Sequence, residues 1–491
     1  MNFLFKLWHI MNKFFTPKYI VEDILNRVGY YIKGTDTSNI RKKHIIDNSC
    51  GNGAFLCEIV SRYINACIVD NVDKEEMIQE LKTYIHGIEI DRDLCIRTHF
   101  NIYDFCKTKG IILPDEFFLD ISCKDALTCI EFNNKMDYVV GNPPYCKVHD
   151  LKEKYNKVKK YNFAQGGMTD LYLVFFEIGI NMLNNTGKLG YITPNSWMTS
   201  KAGLNFRNWI KENKKLSEIV QFGSEKIFNE VTTFTNITII DNSKNNNGLF
   251  YYSYGINDIE YRPGSLSFTF IKDNFYLGNR YELETLNKII NNTKHHKIKV
   301  KNGFATLNDK LFIMHNDWKK MCNLGKNLIP IWKASKDKLL TVIYPYDKDG
   351  KTISYDELDI VPKEILKIQS EILGIDKSQE NWYLYGRYQG IKDMSKYRIG
   401  INTLICDNIE SIKIKLLEPY VGIYSGLYLV CEDDENFIKL NYKKIYDILV
   451  NEDFTHYISL LGKYKNGGYY TFSSKDVENY INYKLFEEKI R

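Results

Sequence analysis

The run Gly141-Asn142-Pro143-Pro144-Tyr145 carries the residue types best suited to chemistry, and it follows the apolar stretch 136–140. Two consecutive prolines fix φ, remove two backbone donors and bar a helix, so a strand must end here in a stiff, extended turn. Such a turn presents one side-chain amide (Asn142), carbonyls with no competing N–H, and one aromatic face (Tyr145). A flat ligand bearing an exocyclic amino group suits it. The Asn142 amide oxygen and the Pro143 carbonyl can accept the two N–H bonds while Tyr145 stacks on the ring. A bare Pro-Pro turn is more often only a rigid stop after a buried strand, so the residues upstream decide.

Three upstream features bear on a second ligand. The short apolar strand 44–46 runs into Asp47-Asn48-Ser49-Cys50-Gly51-Asn52-Gly53, and a helix continues from Ala54. Gly51 and Gly53 let the backbone bend tightly and approach a ligand at a helix N-terminus. Asp47, at the strand end, would repel a pyrophosphate and attract an ammonium. Glu89, near the end of the strand 86–90, stands where doubly wound folds bind ribose hydroxyls. The interval from Gly53 exceeds the ~20 residues of the dinucleotide fingerprint, and a helix over 74–84 accounts for the excess. Asp125, just past a third strand over 117–122, falls on the same rim and can accept from an adenine amino group. Ammonium, ribose and adenine together describe S-adenosyl-L-methionine. Each acid taken singly is more often a helix cap or surface group; the ordered set is much harder to obtain by chance.

The elements that must position these residues alternate strand and helix, the rhythm of a parallel α/β sheet. Thr16 is expected as an N-cap with Pro17 at the first helical position, opening a helix to about Asn26. Further helices are expected at 170–183 and 206–214, and further strands at 138–140, 189–193, 219–222 and 236–240. Between them, 147–167 reads as a loop with six lysines (147, 152, 154, 157, 159, 160) interleaved with Tyr155, Tyr161 and Phe163. It is placed to meet phosphates, or is simply solvated. The polar run 241–248 marks a domain boundary, giving domains 1–244 and 249–491. The second half is a mixed α+β stretch without clean alternation, repeat or heptad.

Composition sets outer bounds. The 491 residues are 44% hydrophobic and 26% charged, as for a folded protein of two or three domains. A net charge of +5 permits an anionic partner without requiring one. The eleven cysteines include no Cys-x-x-Cys pair, which argues against a zinc ribbon, any metal site of that kind and a disulfide framework. A reducing cytoplasm is the simplest setting. Residues 1–15 are aromatic-rich but interrupted by Lys6, His9 and Lys13, and read as a short amphipathic helix rather than a signal peptide. No apolar run is long enough to span a bilayer, so no membrane partner is expected.

On these residues the first half resembles the N6-adenine DNA methyltransferases with an Asn-Pro-Pro-Tyr motif, in the TaqI-like gamma-class order. Thr16-Pro17 resembles the motif covering the methionine end of the cofactor, and Asp47 to Gly53, with Cys50 within it, the glycine loop. Asn48 departs from that pattern, which usually has proline there. Glu89 resembles the ribose binder, Asp125 the adenine binder and Asn142 to Tyr145 the catalytic turn. Phe228 resembles the aromatic on the other side of a flipped base, with Phe234 the alternative. The resemblance covers roughly residues 14 to 240. It implies a Rossmann-like S-adenosyl-L-methionine-dependent methyltransferase domain and a C-terminal target-recognition domain. The two patches Gly303-Phe304-Ala305-Thr306 and Tyr385-Gly386-Arg387 are generally similar to such domains. The implied reaction is direct methyl transfer to N6 of a flipped adenine in double-stranded DNA, within a restriction-modification system. A cognate restriction endonuclease is a possible partner, and a monomer is expected. Pro114-Asp115-Glu116 is the only nuclease-like fragment, and it lies within the methyltransferase sheet, so no fused nuclease is expected. Competing readings are an RNA adenine or protein glutamine methyltransferase using the same turn, and a non-catalytic DNA-specificity subunit. In Trp382-Tyr383-Leu384-Tyr385-Gly386-Arg387-Tyr388-Gln389, Arg387 and Gln389 can contact bases or phosphate, although an aromatic stripe is more often core.

Overall fold

Apolar residues at helical spacing open the described chain: Ile20, Val21, Ile24, Leu25 and Val28 form the buried face of α1 (Lys18–Val28), and Gly29, left-handed at φ 91°, stops it. The computed structural model describes residues 16–114, 117, 119–148, 155–165, 169–223, 227–228, 234–245, 250–253, 267–292, 297–315, 317–388 and 390–490. The amphipathic helix expected at 1–15, the fragment Asp115-Glu116 and Gln389 lie outside them. Pro17, not Thr16, is the N-cap of α1, and no side chain caps it. The Thr16 hydroxyl is engaged elsewhere, by Asn142.

The first half then alternates as expected: β1 (Ile45–Asp47), α2 (Ala54–Val69), α3 (Lys74–Tyr84), β2 (Ile85–Glu89), α4 (Arg92–Thr108), β3 (Asp120–Cys123), β4 (Met136–Gly141), α5 (Leu171–Met182), β5 (Leu183–Pro194), α6 (Leu204–Asn213), β6 (Leu216–Gln221), β7 (Thr235–Asp241) and β8 (Phe250–Ser253). They form one eight-stranded sheet in the order β3-β2-β1-β4-β5-β7-β6-β8. Only β7 runs antiparallel to its neighbours. The third strand is shorter than 117–122, because Phe117 and Leu119 turn into the core before the ladder begins. Helices α1 to α4 cover one face, packing on Ile45, Tyr138, Val140 and Ile237. Helices α5 and α6 cover the other, packing on Ile46, Val139, Leu189 and Ile240. This is a Rossmann-like, doubly wound α/β unit. Its strand order reverses between β1 and β4, so the crevice for ligands opens at their carboxyl ends.

The first unit does not stop at the polar run 241–248. It extends to Leu283, and a second unit runs from Glu284 to Arg491. The boundary expected at 244–249 is too early for two physical reasons. Strand β8 pairs in parallel with β6. The hairpin of β9 (Ser267–Ile271) and β10 (Asn274–Gly278) seals the α6 face, with Phe275 5.3 Å from the Trp197 ring.

The second unit is mixed α+β, built on mostly antiparallel sheets. One has β11 (Ile298–Asn302), β19 (Gly426–Cys431), β15 (Arg398–Asn402) and β17 (Ile414–Leu417) in that order. Another has β12 (Ile313–Met314), β14 (Lys338–Ile343), β13 (Leu328–Lys333) and β18 (Gly422–Tyr424). A small third sheet joins β16 (Leu404–Ile405), β21 (Tyr469–Thr471) and β20 (Tyr464–Lys465). Tyr383 and Tyr385 of the aromatic stripe are core residues of this unit.

Candidate active site

Asp47 is the last residue of β1, in register with Gly87 of β2 and Val140 of β4. Its Oδ1 accepts the Ser49 N–H at 3.1 Å. Burial raises its carboxyl to about 8, the Ser49 N–H acting against this and the Glu89 charge adding to it. Gly141, at the end of β4, has no room for a side chain, since a Cβ would come within 2.8 Å of Asp47 Oδ1. The glycine loop then turns through left-handed Gly51 (φ 55°) and Gly53 (φ 87°) into α2. The space beside Gly51 is open, with nothing within 4 Å of a Cβ placed there.

Glu89 closes the loop from β2. Its Oε2 accepts the Gly51 N–H at 2.9 Å, and its Oε1 accepts those of Ile90 (2.8 Å) and Asp91 (2.9 Å). Burial still raises its carboxyl, these three donors opposing the rise. Two oxygens offer about four acceptor positions, so one remains for a ligand hydroxyl.

Thr98 and Asn101, one turn apart on α4, strap the loop from below. The Thr98 hydroxyl donates to the Gly51 carbonyl at 2.7 Å and the Asn101 amide to the Asn52 carbonyl at 2.8 Å. Neither was expected from the sequence. Their i, i+3 spacing is visible there, but nothing shows that this face of α4 meets the loop. Cys50, expected to line the cofactor, instead packs its thiol beneath Gly87, 3.4 Å from where a Cβ would stand. Burial raises that thiol well above its usual range. Only its backbone serves the loop, its N–H donating to Ile88 and its carbonyl accepting from Gly53.

Asp125 lies two residues beyond β3, where Cys123 faces Glu89 across the ladder, and so shares the carboxyl rim. Its Oδ1 accepts the Leu127 N–H at 3.2 Å and caps a short 3-10 turn. Lys157 Nζ stands 3.7 Å from Oδ2. That lysine comes from the basic loop, two of whose aromatics pack inward. The Tyr161 hydroxyl donates to the Leu127 carbonyl, and Phe163 is buried 5.3 Å from the Phe206 ring. Lys152, Lys154 and the Tyr155 side chain lie outside the described residues.

The Asn-Pro-Pro-Tyr turn follows β4 directly. The Asn142 amide donates through Nδ2 to the Thr16 hydroxyl at 3.2 Å. Its Oδ1 is buried and has no hydrogen-bond partner among the described residues. The Tyr145 hydroxyl donates to the Ile192 carbonyl on β5 at 3.2 Å. Phe228 meets the Tyr145 ring edge-on, centroids 6.2 Å apart. Phe234 stands at the start of β7, where its carbonyl accepts from Asn195. The structure therefore brings Phe228 to the turn. Just past β5 the Asn195 Nδ2 is another buried group without a partner among the described residues, and so is the Thr193 hydroxyl within β5. Buried orphans of this kind are rare and costly unless a ligand or water meets them.

Residues 59–228 match the Eco57I restriction-modification methylase family. The chain is 26% identical over 486 residues to the type II restriction enzyme and methyltransferase RM.Eco57I of Escherichia coli, covering 77% of this chain and 47% of that protein. It is 28% identical over 240 residues to the type II methyltransferase M.BstVI of Geobacillus stearothermophilus, covering 46% and 41%. The chain thus spans less than half the length of these relatives. Among solved structures, the type IIL restriction-modification enzyme MmeI in complex with DNA superposes with a TM-score of 0.61 at 13% identity, covering 94% of this chain and 66% of that one. A nuclease-deletion mutant of the type ISP enzyme LlaGI, bound to a DNA substrate mimic, gives 0.53 at 12% identity, covering 96% and 54%. At such identity these two likenesses establish the fold. Among the described residues no helix is long and apolar enough to cross a membrane.

Proposed function

We propose that this chain is a site-specific DNA methyltransferase acting on N6 of adenine in duplex DNA, as the modification activity of a restriction-modification system. The observation that carries the reading is the buried Asn142 Oδ1, without a partner among the described residues, on a proline-stiffened turn at the switch point of the sheet, beside the Tyr145–Phe228 pair. The matches to type II methyltransferases support the substrate class.

The residues fit S-adenosyl-L-methionine. Glu89 keeps one acceptor position for a ribose hydroxyl, Gly51 leaves open space, and Asp47 is an under-solvated carboxylate suited to a cation. Asp125 is the candidate adenine contact, and Thr16 orients Asn142. When bound, this cofactor would supply an electrophilic methyl group.

The protein's own part is positioning. Asn142 Oδ1 and the Pro143 carbonyl would accept both amino hydrogens of the base. That favours a pyramidal nitrogen whose lone pair is withdrawn from the ring. Tyr145 and Phe228 would hold the base faces, returning ~1–3 kcal/mol per base of the unstacking cost. No strong base is required, because the methylated amine is acidic enough to lose its proton to water. Catalysis of this kind rests on orientation and preorganised acceptors.

The test is transfer of labelled methyl from S-adenosyl-L-methionine to duplex DNA, bulk RNA and a cell protein extract, with nucleoside analysis. N6-methyladenine in DNA is expected. Asn142→Ala should lower the rate on the order of 10²–10³-fold while leaving cofactor affinity near wild type. Label only in RNA or protein would overturn the substrate, and a fully active Asn142→Ala would overturn the mechanism.

A further inference from the structure

The second unit holds an aliphatic side chain in water on a backbone conformation that leucine rarely adopts. Leu307 has φ 59° and is 67% exposed. Of the nine described non-glycine residues with positive φ, it is the only aliphatic one. Strain of this kind persists only where the surroundings enforce it, and it concentrates at functional sites.

The enforcement is visible. The stretches Gly303-Phe304-Ala305-Thr306 and Tyr385-Gly386-Arg387, distant in sequence, lie side by side. Ala305 and Arg387 exchange N–H···O bonds of 3.0 Å each, and the Gly386 N–H donates to the Thr306 carbonyl at 3.2 Å. Tyr385 stacks on Phe304 with centroids 4.8 Å apart and anchors both stretches in the core. Leu307 lies over Gly386, where any Cβ would collide with its Cδ1. The Thr306 hydroxyl and the Tyr424 hydroxyl both donate to the Asp309 carboxylate, so this exposed acid is already engaged.

What the knuckle leaves exposed is one leucine, one tyrosine, two cations and Asp309, whose carboxylate is taken up by two hydroxyls. Tyr388 is 68% exposed, and Lys310 and Arg387 are exposed with no carboxylate partner among the described residues. Isolated apolar groups between unneutralised cations do not suit a protein groove or a lipid surface, which require a contiguous apolar patch. They suit a polyanion with stacked flat faces. Leucine is a recurrent wedge between base steps, and arginine pairs with phosphate or with a guanine edge.

We propose that Leu307, Arg387 and Tyr388 form a contact with duplex DNA, with Leu307 a wedge in the base stack and Arg387 its neighbouring cation. The assignment rests on the DNA-methyltransferase reading above and names residues that set its affinity and selectivity.

Two substitutions test it. Leu307→Gly removes the side chain where glycine accepts the backbone conformation freely, so folding is not at risk. Arg387→Gln removes the charge and keeps a polar, hydrogen-bonding side chain. Each variant is titrated against a short fluorescent duplex at several salt concentrations, and its methylated sites are mapped by sequencing. Melting temperature and cofactor affinity serve as controls. Both variants should bind on the order of tenfold more weakly, with unchanged controls. Arg387→Gln should also lower the salt slope by about one, or relax the methylated sequence at one position. Wild-type affinity, slope and methylation pattern in both variants, in an enzyme that does methylate DNA, would overturn this contact and leave the function standing. A wild-type protein that neither binds nor methylates duplex DNA would overturn both.

Discussion

Asp47 is held by the fold away from the charge state it prefers in water. Its carboxyl stands at about 8 in the folded chain, raised by burial, against roughly 3.9 for an unperturbed aspartate. Between those values the folded state holds a proton that the unfolded state has lost. The stability linked to that proton is therefore fully present below about pH 4 and is lost as pH rises through about 8. Asp47→Asn removes the buried charge. Without cofactor it should melt above wild type at pH 9, with the difference shrinking toward pH 6. A ligand cation favours the ionised form, so wild-type affinity for S-adenosyl-L-methionine should rise between pH 6 and 8, and in Asp47→Asn it should be weak and flat. Calorimetric titration across that range decides the matter, and a flat wild-type profile would remove Asp47 from the cofactor site. Asp47, Glu89 and Asn142 were legible in the sequence because a short apolar run fixes where a strand ends, and the rim residues follow from that. Cys50 was misread because its neighbours in sequence do not reveal that its thiol points under Gly87. The pairing of Thr16 with Asn142 was hidden for the same reason, joining residues 126 positions apart.

At the scale of elements, the glycine loop is held to α4 by two side chains and by the absence of a third. A Cβ on Gly53 would come within 2.7 Å of Thr98 Cγ2, and φ is 87°. Gly53→Ala should therefore destabilise the protein by about 1–3 kcal/mol, part strain and part clash. Thr98→Ser removes the clashing methyl and keeps the hydroxyl that donates to Gly51. In the Gly53→Ala background it should recover the steric part, and alone it should cost little. Denaturant melts of the four proteins would show this as non-additivity, whereas strictly additive losses would mean that backbone strain alone sets the cost. The helices and central strands of the first half were legible because their apolar periods are clean and their caps local: Asp73 and Asp91 each accept two backbone N–H bonds at the starts of α3 and α4. In the basic loop, Tyr161 and Phe163 have the composition of a nucleic-acid surface and the packing of a core. Composition alone does not separate the two.

For the molecule as a whole, the question with a decisive answer is where the first unit ends. Sequence punctuation favours the polar run 241–248, whereas packing favours the break after Leu283. The segment between contributes groups the first unit does not replace. Arg207, almost fully buried, donates to the carbonyls of Trp197, Ser200 and Asp273. Burial lowers its pKa, so its guanidinium depends on those acceptors. Phe275 packs among Trp197, Phe268 and Phe270. A fragment ending at 244 loses β8 from the edge of β6, one acceptor of Arg207 and the aromatic cover of Trp197. Removing a buried phenylalanine alone costs about 3–5 kcal/mol, which for a unit of this size is a fall of roughly 6–20 °C. Residues 1–283 should therefore melt cooperatively and bind S-adenosyl-L-methionine, while residues 1–244 should melt at least that much lower or aggregate through the uncovered edge. Calorimetry on the two fragments separates the cases. Equal melting temperatures would return the boundary to the polar run and make the hairpin an accessory. The predicted gap would show that a low-complexity break in sequence can lie inside a single core, because a hairpin beyond it supplies the last layer of side chains.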